Sequence, residues 1–482
     1  MIDPVPSLDP RQARFVSEGE LAFQRFDGLV EVDSAGAPVG VLAERWEWRE
    51  GGRVLRLHLR RGTRFHDEQV LTAADVVMSL RATLADTVVA PASDPVVEAL
   101  AGSSRAGAIP GGRAALAQRV RAVGDTSVDL LVQRADSGTP SALGGVAWRI
   151  QRPSPTGDRV GTGRWRPVRG AAGESTFVFR AFAQPWRPVS GADTLDVRIL
   201  GAAQLSRALT DGTIDCIPIV PSRIRRELSL RTDVRLVEGP PTTLALLVLS
   251  PTTPRFADRR VRLALAALFD RRPMATSLGI RAHVPAGGVE GAFARGRDSI
   301  APWPYDPERA RALLDSADVT ARDTLRVGYI ASLPDDTTAG SAGAVGAALR
   351  AAFPVRFVPT TDRYGDLVGG TIDAGLLTLI PGSDRPGELL EQFAPGSSDV
   401  LYRQAGRWLL GADTLFRRYR AATGAARVEA LRAIDAAVRR DQPVVPLWFF
   451  GRASASRSGG ARCDANSARL RYLDVRPGVS SR

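Results

Sequence analysis

One stretch of the sequence, Val54 to Leu84, passes from a strand pattern through a charged corner into a helix pattern. Apolar and polar side chains alternate from Val54 to Leu59, which predicts a half-buried strand. Thr72 precedes the helical run, and Asp75 stands three residues later, the spacing of a capping box. Because a strand that leads into a capped helix is a building unit of α/β folds, this stretch favours a layered sheet-and-helix architecture.

Capped helix patterns and short strand patterns alternate along the rest of the chain. Asp306 is placed to cap a helix that begins with Pro307. Another helix pattern begins near Val261, where apolar residues recur at helical spacing. The last long helix is predicted to bury an apolar stripe and to precede an apolar strand. The stripe consists of Val428, Leu431, Ile434 and Val438.

The length and charge of the chain exclude a small single core and disfavour a nucleic-acid partner. A chain of 482 residues is expected to form two or three lobes. The net charge is +12, and all 64 basic residues are arginines, scattered among 52 acidic ones. A nucleic-acid-binding protein tends to cluster its basic residues in a stripe or tail. The arrangement therefore predicts no nucleic-acid binding.

No catalytic or metal-binding motif is present in the sequence. It lacks a P-loop, a nucleophile elbow, an HExxH pair and an EF-hand loop. Its three histidines, His58, His66 and His283, are spread over the chain, which argues against a preformed metal site. His58 points away from the apolar strand face and is interpreted as a solvated or cross-strand side chain. These absences favour a binding protein over an enzyme, with no catalytic residue, metal or cofactor predicted.

Cysteine usage and hydropathy say little about the compartment. Cys216 and Cys463 are far apart, and the favoured interpretation is two buried or half-buried thiols, with their pairing left open. No segment reaches the roughly 18–20 apolar residues that span a bilayer. The first residues, "MIDPVPSLDP", have neither the basic start nor the apolar centre of a signal peptide. Taken literally, they indicate a cytoplasmic chain.

A series of motifs recurs in one order over nearly the whole chain. The strongest is "GVLAERWEWREGGRVLRLHLRRGTRFHDEQVLTAADVVMSL", from Gly40 to Leu80. The others are "SLDP", "RFDGLVEVDSAG", "GTGRW", "LSRALTDGTIDCIP", "RFADRRVRLALAALFDRRPM", "YDPERARALLDSA" and "DQPVVPLWFF". In these segments the sequence resembles the extracellular solute-binding proteins of the dipeptide, oligopeptide and nickel ABC importers, solute-binding family 5.

The resemblance implies a two-lobed α/β fold of the periplasmic-binding-protein type, class II, with three discontinuous domains and a hinged cleft between the lobes. The expected first domain comprises 1–45, 158–245 and 452–482, the inserted second domain 46–157, and the second lobe 246–451. The implied function is the capture of a peptide or similar small solute, as a monomer, for delivery to ABC permease subunits. In this setting the corner around His66 is a fold signature rather than a ligand site.

The resemblance also implies the positions of ligand-binding residues. Peptide-binding members carry an acid in a loop that corresponds to Leu376–Phe393, where Asp384 stands near the expected position and Arg385 beside it is suited to an anion. Phe26 and Asp27 lie near the cleft by the same analogy. Trp448 and Phe450 fall on one strand face and are candidates to line the pocket, although a core role for them is left open.

Departures from the family pattern keep two alternatives open. Glu68 stands where the family has glycine, Val70 where it has proline, and the loop at Asp384 lacks the usual tryptophan. A carrier of a metal chelate or another non-peptide solute is one alternative. A ligand-sensing domain of a regulator is the other, although no helix-turn-helix pattern precedes Ser7. By resemblance, and against the literal N-terminus, we expect a periplasmic or lipid-anchored location at the outer face of the membrane.

Overall fold

The computed structural model of the protein shows a mixed α/β fold in which each of the four larger sheets packs on its own apolar cluster. The described residues are 5–13, 16–32, 38–86, 94–102, 112–133, 138–154, 158–187, 191–239, 241, 243–277, 284–289, 301–319, 324–329, 337–360, 363–379, 387–395, 397, 400–422 and 424–458.

The first described elements are a helix and a two-stranded antiparallel sheet. They are α1 (Val16–Arg25), β1 (Val30–Val32) and β2 (Pro38–Gly40). Short 3₁₀ turns occur at several places along the chain, at Pro10–Gln12, Glu50–Gly52, Val146–Trp148 and Pro254–Ala257.

A four-stranded antiparallel sheet follows, with its helices packed on one apolar cluster. Its elements are β3 (Ala43–Arg49), β4 (Val54–Leu59), α2 (Ala73–Ala85), α3 (Pro95–Ala101), α4 (Gly112–Ala117), β5 (Val120–Val123), β6 (Ser127–Leu131) and α5 (Thr139–Ala142). The predicted strand β4 and the predicted capping box of α2 are both confirmed. The backbone N–H of Thr72 donates to Asp75 Oδ2 (2.9 Å), and that of Asp75 donates to Thr72 Oγ1 (3.3 Å).

The chain then forms smaller sheets before it enters the largest one. The elements are β7 (Arg152–Pro153), β8 (Arg159–Val160), β9 (Trp165–Arg169), β10 (Thr176–Ala181), β11 (Thr194–Arg198), α6 (Ala202–Asp211), β12 (Cys216–Ile217), α7 (Ser222–Ser229) and β13 (Val234–Glu238). Strands β9 to β11 make one three-stranded sheet, and β12 and β13 flank the last strand of the chain in another.

The largest sheet has six strands and the largest apolar cluster. Its elements are β14 (Thr243–Leu249), α8 (Arg259–Ala267), α9 (Arg271–Ser277), β15 (Val284–Pro285), α10 (Pro307–Ser316), β16 (Leu325–Tyr329), α11 (Thr337–Arg350), β17 (Val355–Pro359), α12 (Arg363–Gly369), β18 (Ala374–Leu379), α13 (Glu388–Glu391), α14 (Val400–Gly406), α15 (Ala412–Ala421), α16 (Gly424–Asp441) and β19 (Val444–Phe450). The strand order is β15-β19-β14-β18-β16-β17, and β20 (Ala453–Arg457) returns to β12 and β13.

The helices predicted in this part are present, with one error in the buried stripe. Asp306 caps α10, where its Oδ1 accepts the backbone N–H of Arg309 at 2.9 Å. In α16, three of the four predicted core residues are buried, but Val428 is 39% exposed. The buried face of α16 begins at Ala430, because the first turn of the helix lies outside the apolar cluster.

The favoured interpretation of unpaired thiols was wrong for Cys216, which is in a disulfide bond. Cys216 begins β12 and pairs with Ser456 of β20 in the sheet. The other cysteine of the chain, Cys463, lies outside the described residues, as does His283.

We propose that the sheets correspond to the three expected domains. Strands β3 and β14 begin at Ala43 and Thr243, three residues before the expected boundaries at 46 and 246. Each boundary is therefore better drawn ahead of its strand, because an intact strand belongs to the sheet it pairs with.

Candidate functional site

The chain passes twice between the six-stranded sheet and the three-stranded sheet of β12, β20 and β13. The first passage joins β13 to β14, and the second joins β19 to β20. The two passages run side by side, because Glu238 pairs with Ala453 on one side and Thr243 pairs with Phe450 on the other. Between them the backbone N–H of Gly239 donates to the carbonyl of Arg452 at 2.7 Å. We call these two connections, whose described residues include Gly239, Thr243, Gly451 and Arg452, the crossing.

An arginine from α7 holds both chains of the crossing. Arg225 Nε donates to Glu238 Oε1 at 2.8 Å, and Arg225 Nη1 donates to the carbonyl of Gly451 at 3.3 Å. The Arg225 side chain is buried, whereas its partner Glu238 is exposed. The crossing is therefore fixed on the side of the three-stranded sheet.

The strand that precedes the predicted anchor residues ends beside the crossing. Leu379, the last residue of β18, pairs with Leu244, and the neighbouring Thr243 pairs with Phe450. The ends of β18 and β19 and the start of β14 thus share one edge of the sheet. Asp384 and Arg385, which follow β18, lie outside the described residues, and their predicted role stays a prediction.

The predicted aromatic candidates are at the same edge but belong to the apolar core. Trp448 is 0% exposed and Phe450 is 7% exposed, and both are members of the large cluster, as is Phe449. Their pairing with Ala245 and Thr243 shows the alternation expected of a strand. A role for Trp448 and Phe450 in binding stays a prediction.

The other two candidates, Phe26 and Asp27, are occupied by contacts within the protein. Asp27 accepts hydrogen bonds from Arg187 Nη1 (2.8 Å) and Nη2 (3.1 Å) and from Thr162 Oγ1 (3.0 Å). Phe26 is 0% exposed, and the Arg25 guanidinium lies 5.0 Å from the centre of its ring. Their role in binding stays a prediction, and in the structure Asp27 fastens the loop that contains Thr162.

That loop, Gly161–Gly163, is clamped between the end of α1 and the corner that contains His66. A Cβ on Gly163 would lie 2.4 Å from the carbonyl carbon of Arg25, so the close approach requires glycine. On the other side, the backbone N–H of His66 donates to the carbonyl of Gly161 at 2.8 Å. His66 Nε2 donates to the carbonyl of Gly163 at 2.9 Å, which fixes the tautomer because a carbonyl only accepts.

His66 therefore joins two parts of the molecule and remains uncharged. Burial lowers the pKa of its imidazole to about 4, and the bond to the Gly163 carbonyl offsets only part of that effect. Phe182 packs edge-on against the ring at 5.1 Å. The interpretation of this corner as structural, and not as a ligand site, agrees with these contacts.

Two features of the tertiary structure were missed from the sequence. Glu20 and Gln24 of α1 are 2% and 1% exposed, although the helix pattern assigns such residues to a solvent face. Glu98 of α3 also forms an ion pair with Arg420 of α15 at 3.5 Å, which joins the four-stranded and six-stranded bodies. No local pattern predicts the burial of the two side chains or the ion pair, because both depend on how distant segments pack.

The described part of the chain contains neither a candidate metal site nor a candidate membrane span. Among the residues with assigned positions, no group of three or more His, Cys, Asp or Glu is arranged to hold a metal ion. None of the described helices has the length and apolar character needed to cross a bilayer.

Two bodies linked by a double crossing are typical of proteins that enclose a solute between lobes. Residues 37–352 match the model of the bacterial extracellular solute-binding proteins, family 5 (middle region), and the chain belongs to this family. Family membership places it among binding proteins and not among enzymes. A short segment is 38% identical over 72 residues to the probable deoxycholate-binding periplasmic protein YgiS of Escherichia coli K12. That segment covers 15% of this chain and only 14% of the relative.

Solved structures match the fold over nearly the whole chain. The periplasmic binding protein AgaA from A. tumefaciens R10, in complex with agropinic acid, gives a TM-score of 0.77 at 18% identity, covering 100% of this chain and 98% of that one. DppA from Helicobacter pylori, in complex with the peptide STSA, gives 0.81 at 15% identity over 99% and 97%. NikA from Brucella suis, in complex with Fe(III)-EDTA, gives 0.81 at 17% identity over 99% and 99%.

Proposed function

We propose that this protein is the substrate-binding component of an ABC importer, which captures a small solute between its lobes and delivers it to a membrane permease. The observation that carries the proposal is the double crossing, since two short antiparallel connections side by side let one lobe rotate against the other. Closure around a solute would create the surface that a permease reads, and we propose that the protein acts as a monomer.

The solute class is open between three chemistries. The relatives of similar fold are described in complex with a peptide, a metal chelate and agropinic acid, and each of these is a small polar molecule. We favour a peptide-like solute. Asp384 and Arg385 remain the proposed anchors in the loop after β18, with Trp448 and Phe450 at the neighbouring edge and Phe26 and Asp27 behind the loop Gly161–Gly163.

An oxidising compartment is supported by the disulfide of Cys216. Disulfides persist in the periplasm and outside the cell, whereas cytosolic thiols are kept reduced. We therefore propose a periplasmic or lipid-anchored location for the mature protein.

The test is a thermal-shift screen of the purified protein with tripeptides, opines and nickel chelates at matched concentrations. A solute that binds the folded state raises the free energy of unfolding by about 2.7 kcal/mol at a hundred times its dissociation constant. A shift with one class identifies the solute class. Absence of a shift with every class, confirmed by calorimetric titration, would contradict the proposal.

A further inference from the structure

Helix α1 buries a polar stripe. Ser17, Glu20 and Gln24 fall on one face of the helix and are 3%, 2% and 1% exposed. In the described part of the structure, Glu20 Oε1 and Gln24 Nε2 have no hydrogen-bond partner. Buried polar groups are nearly always hydrogen-bonded, so an acceptor and a donor left without partners one turn apart indicate that something else completes them.

Two other buried carboxylates in the same part of the molecule, Asp27 and Glu31, do have hydrogen-bond partners. Asp27 is saturated by Arg187 and Thr162, and Glu31 receives a hydrogen bond from Arg149. A Coulombic attraction acts between Glu20 and Arg452, but Glu20 Oε1 has no hydrogen-bond partner in the described part of the structure. Burial raises the pKa of the Glu20 carboxyl well above its ordinary value, and Arg452 offsets part of that effect. A structural ion pair would be expected to form the hydrogen bonds that are missing here.

The position of Glu20 places it where the lobes meet. Arg452 belongs to the crossing and follows Phe450 after one residue. The end of β18 reaches the same edge, as the pairing of Leu379 with Leu244 shows. Glu20 therefore interacts with a residue of the crossing, the connection about which the lobes of the proposed function would close.

We propose that Glu20 and Gln24 form a polar subsite that accepts the primary ammonium group of a peptide-like solute. The Glu20 carboxylate accepts hydrogen bonds from the ammonium, and the Gln24 amide donates to the neighbouring carbonyl of the solute. This inference rests on the proposed function and specifies its solute. It assigns to α1 the cation recognition that the sequence resemblance assigned to the loop of Asp384.

The test compares tri-L-alanine with N-acetyl-tri-L-alanine, which differ at the amino group alone, by calorimetric titration. We expect wild type to bind the free amine about tenfold or more tightly than the acetylated peptide, because a charge-assisted hydrogen bond is lost on acetylation. Glu20→Gln should abolish the preference, and Glu20→Asp should retain part of it. Glu18→Gln is the matched control, since Glu18 is on the same helix and equally buried but accepts the backbone N–H of Ser7 at 2.8 Å.

Three binding results would overturn the inference. They are equal affinity of wild type for both peptides, a preference that survives in Glu20→Gln, and a preference abolished by Asp384→Ala but not by Glu20→Gln. If wild type binds an opine or a nickel chelate but neither peptide, the ammonium subsite is wrong while the proposed function stands.

A stability measurement without ligand separates the inference from the proposed function. An unsatisfied buried carboxylate kept for binding makes the empty protein less stable, so Glu20→Gln should raise the melting temperature. A lower melting temperature would mean that Glu20 and Arg452 form a structural pair. If no solute binds at all, the proposed function fails and the ammonium subsite fails with it, whereas a lower melting temperature of Glu20→Gln overturns the subsite alone.

Discussion

At the scale of single residues, His66 and Glu68 belong to one short motif but differ in what constrains them: a buried hydrogen bond for His66 and the backbone conformation for Glu68. His66 donates to the carbonyl of Gly163 and is buried without a charge. Two residues later, Glu68 adopts a φ of +68°, a conformation that favours glycine. The glycine expected at this position by resemblance therefore has a steric reason, which the sequence alone did not reveal.

We predict that the uncharged state of His66 makes stability depend on pH. Its folded-state pKa, about 4, lies below the ordinary 6.5, so between these values the unfolded chain binds a proton that the folded protein does not. The free energy of unfolding should rise with pH across this window and fall by about 3 kcal/mol as the pH drops through it. Urea denaturation of wild type and His66→Gln, from neutral pH to about pH 4, measures this contribution. Parallel pH curves for the two proteins would contradict it.

At the scale of elements, the motif "GTG" and helix α1 determine each other's position. The carbonyl of Arg25, the last residue of α1, accepts the backbone N–H of Gly163 at 3.0 Å. The loop approaches the helix so closely that a Cβ at Gly161 would lie 2.1 Å from the same carbonyl oxygen. This contact places α1 against β9.

We predict that Gly163→Ala destabilises the protein by about 1–3 kcal/mol, because the added methyl overlaps backbone atoms that cannot rotate away. Gly19→Ala is the matched control within α1. A Cβ at Gly19 has no heavy atom within 4 Å, and alanine should stabilise the helix by about 0.5–1 kcal/mol. Chemical denaturation of both variants gives the two values. Equal effects at the two glycines would contradict the clamped geometry.

At the scale of the whole molecule, an ion pair in the described part of the chain joins the cluster of the four-stranded sheet to the cluster of the six-stranded sheet. Glu98 belongs to α3, which packs in the cluster of the four-stranded sheet. Arg420 belongs to α15, which packs in the cluster of the six-stranded sheet. The two side chains approach to 3.5 Å, so this ion pair directly joins two helices that are far apart in the sequence.

We predict that Arg420→Ala favours a more open arrangement. X-ray scattering of the ligand-free protein should give a larger radius of gyration, and a bound solute should dissociate up to about fivefold faster, since a partly exposed ion pair contributes at most about 1 kcal/mol. Arg418→Ala is the control, because Arg418 pairs with Glu429 within one body at 3.3 Å. Identical behaviour of the two variants would remove Glu98 and Arg420 from the closure of the lobes.

Features that depend on a few neighbouring residues were predictable from the sequence. The capping box at Thr72 and Asp75, the cap at Asp306 and the strand at Val54–Leu59 were all found where expected. Hydrogen bonds and side-chain alternation over a few residues are sufficient to specify such elements. The family was also predictable, because the series of motifs combines many local patterns in one order along the chain.

Features that depend on contacts between distant segments required the tertiary structure. Periodicity placed Val428 in the core and would place Glu20 in water, and both assignments fail because burial depends on which neighbours the rest of the chain supplies. The disulfide of Cys216 and the pairing of β13 with β20 also depend on contacts between distant segments. The crossing and the buried polar stripe of α1 arise from packing between segments hundreds of residues apart, which no local pattern encodes.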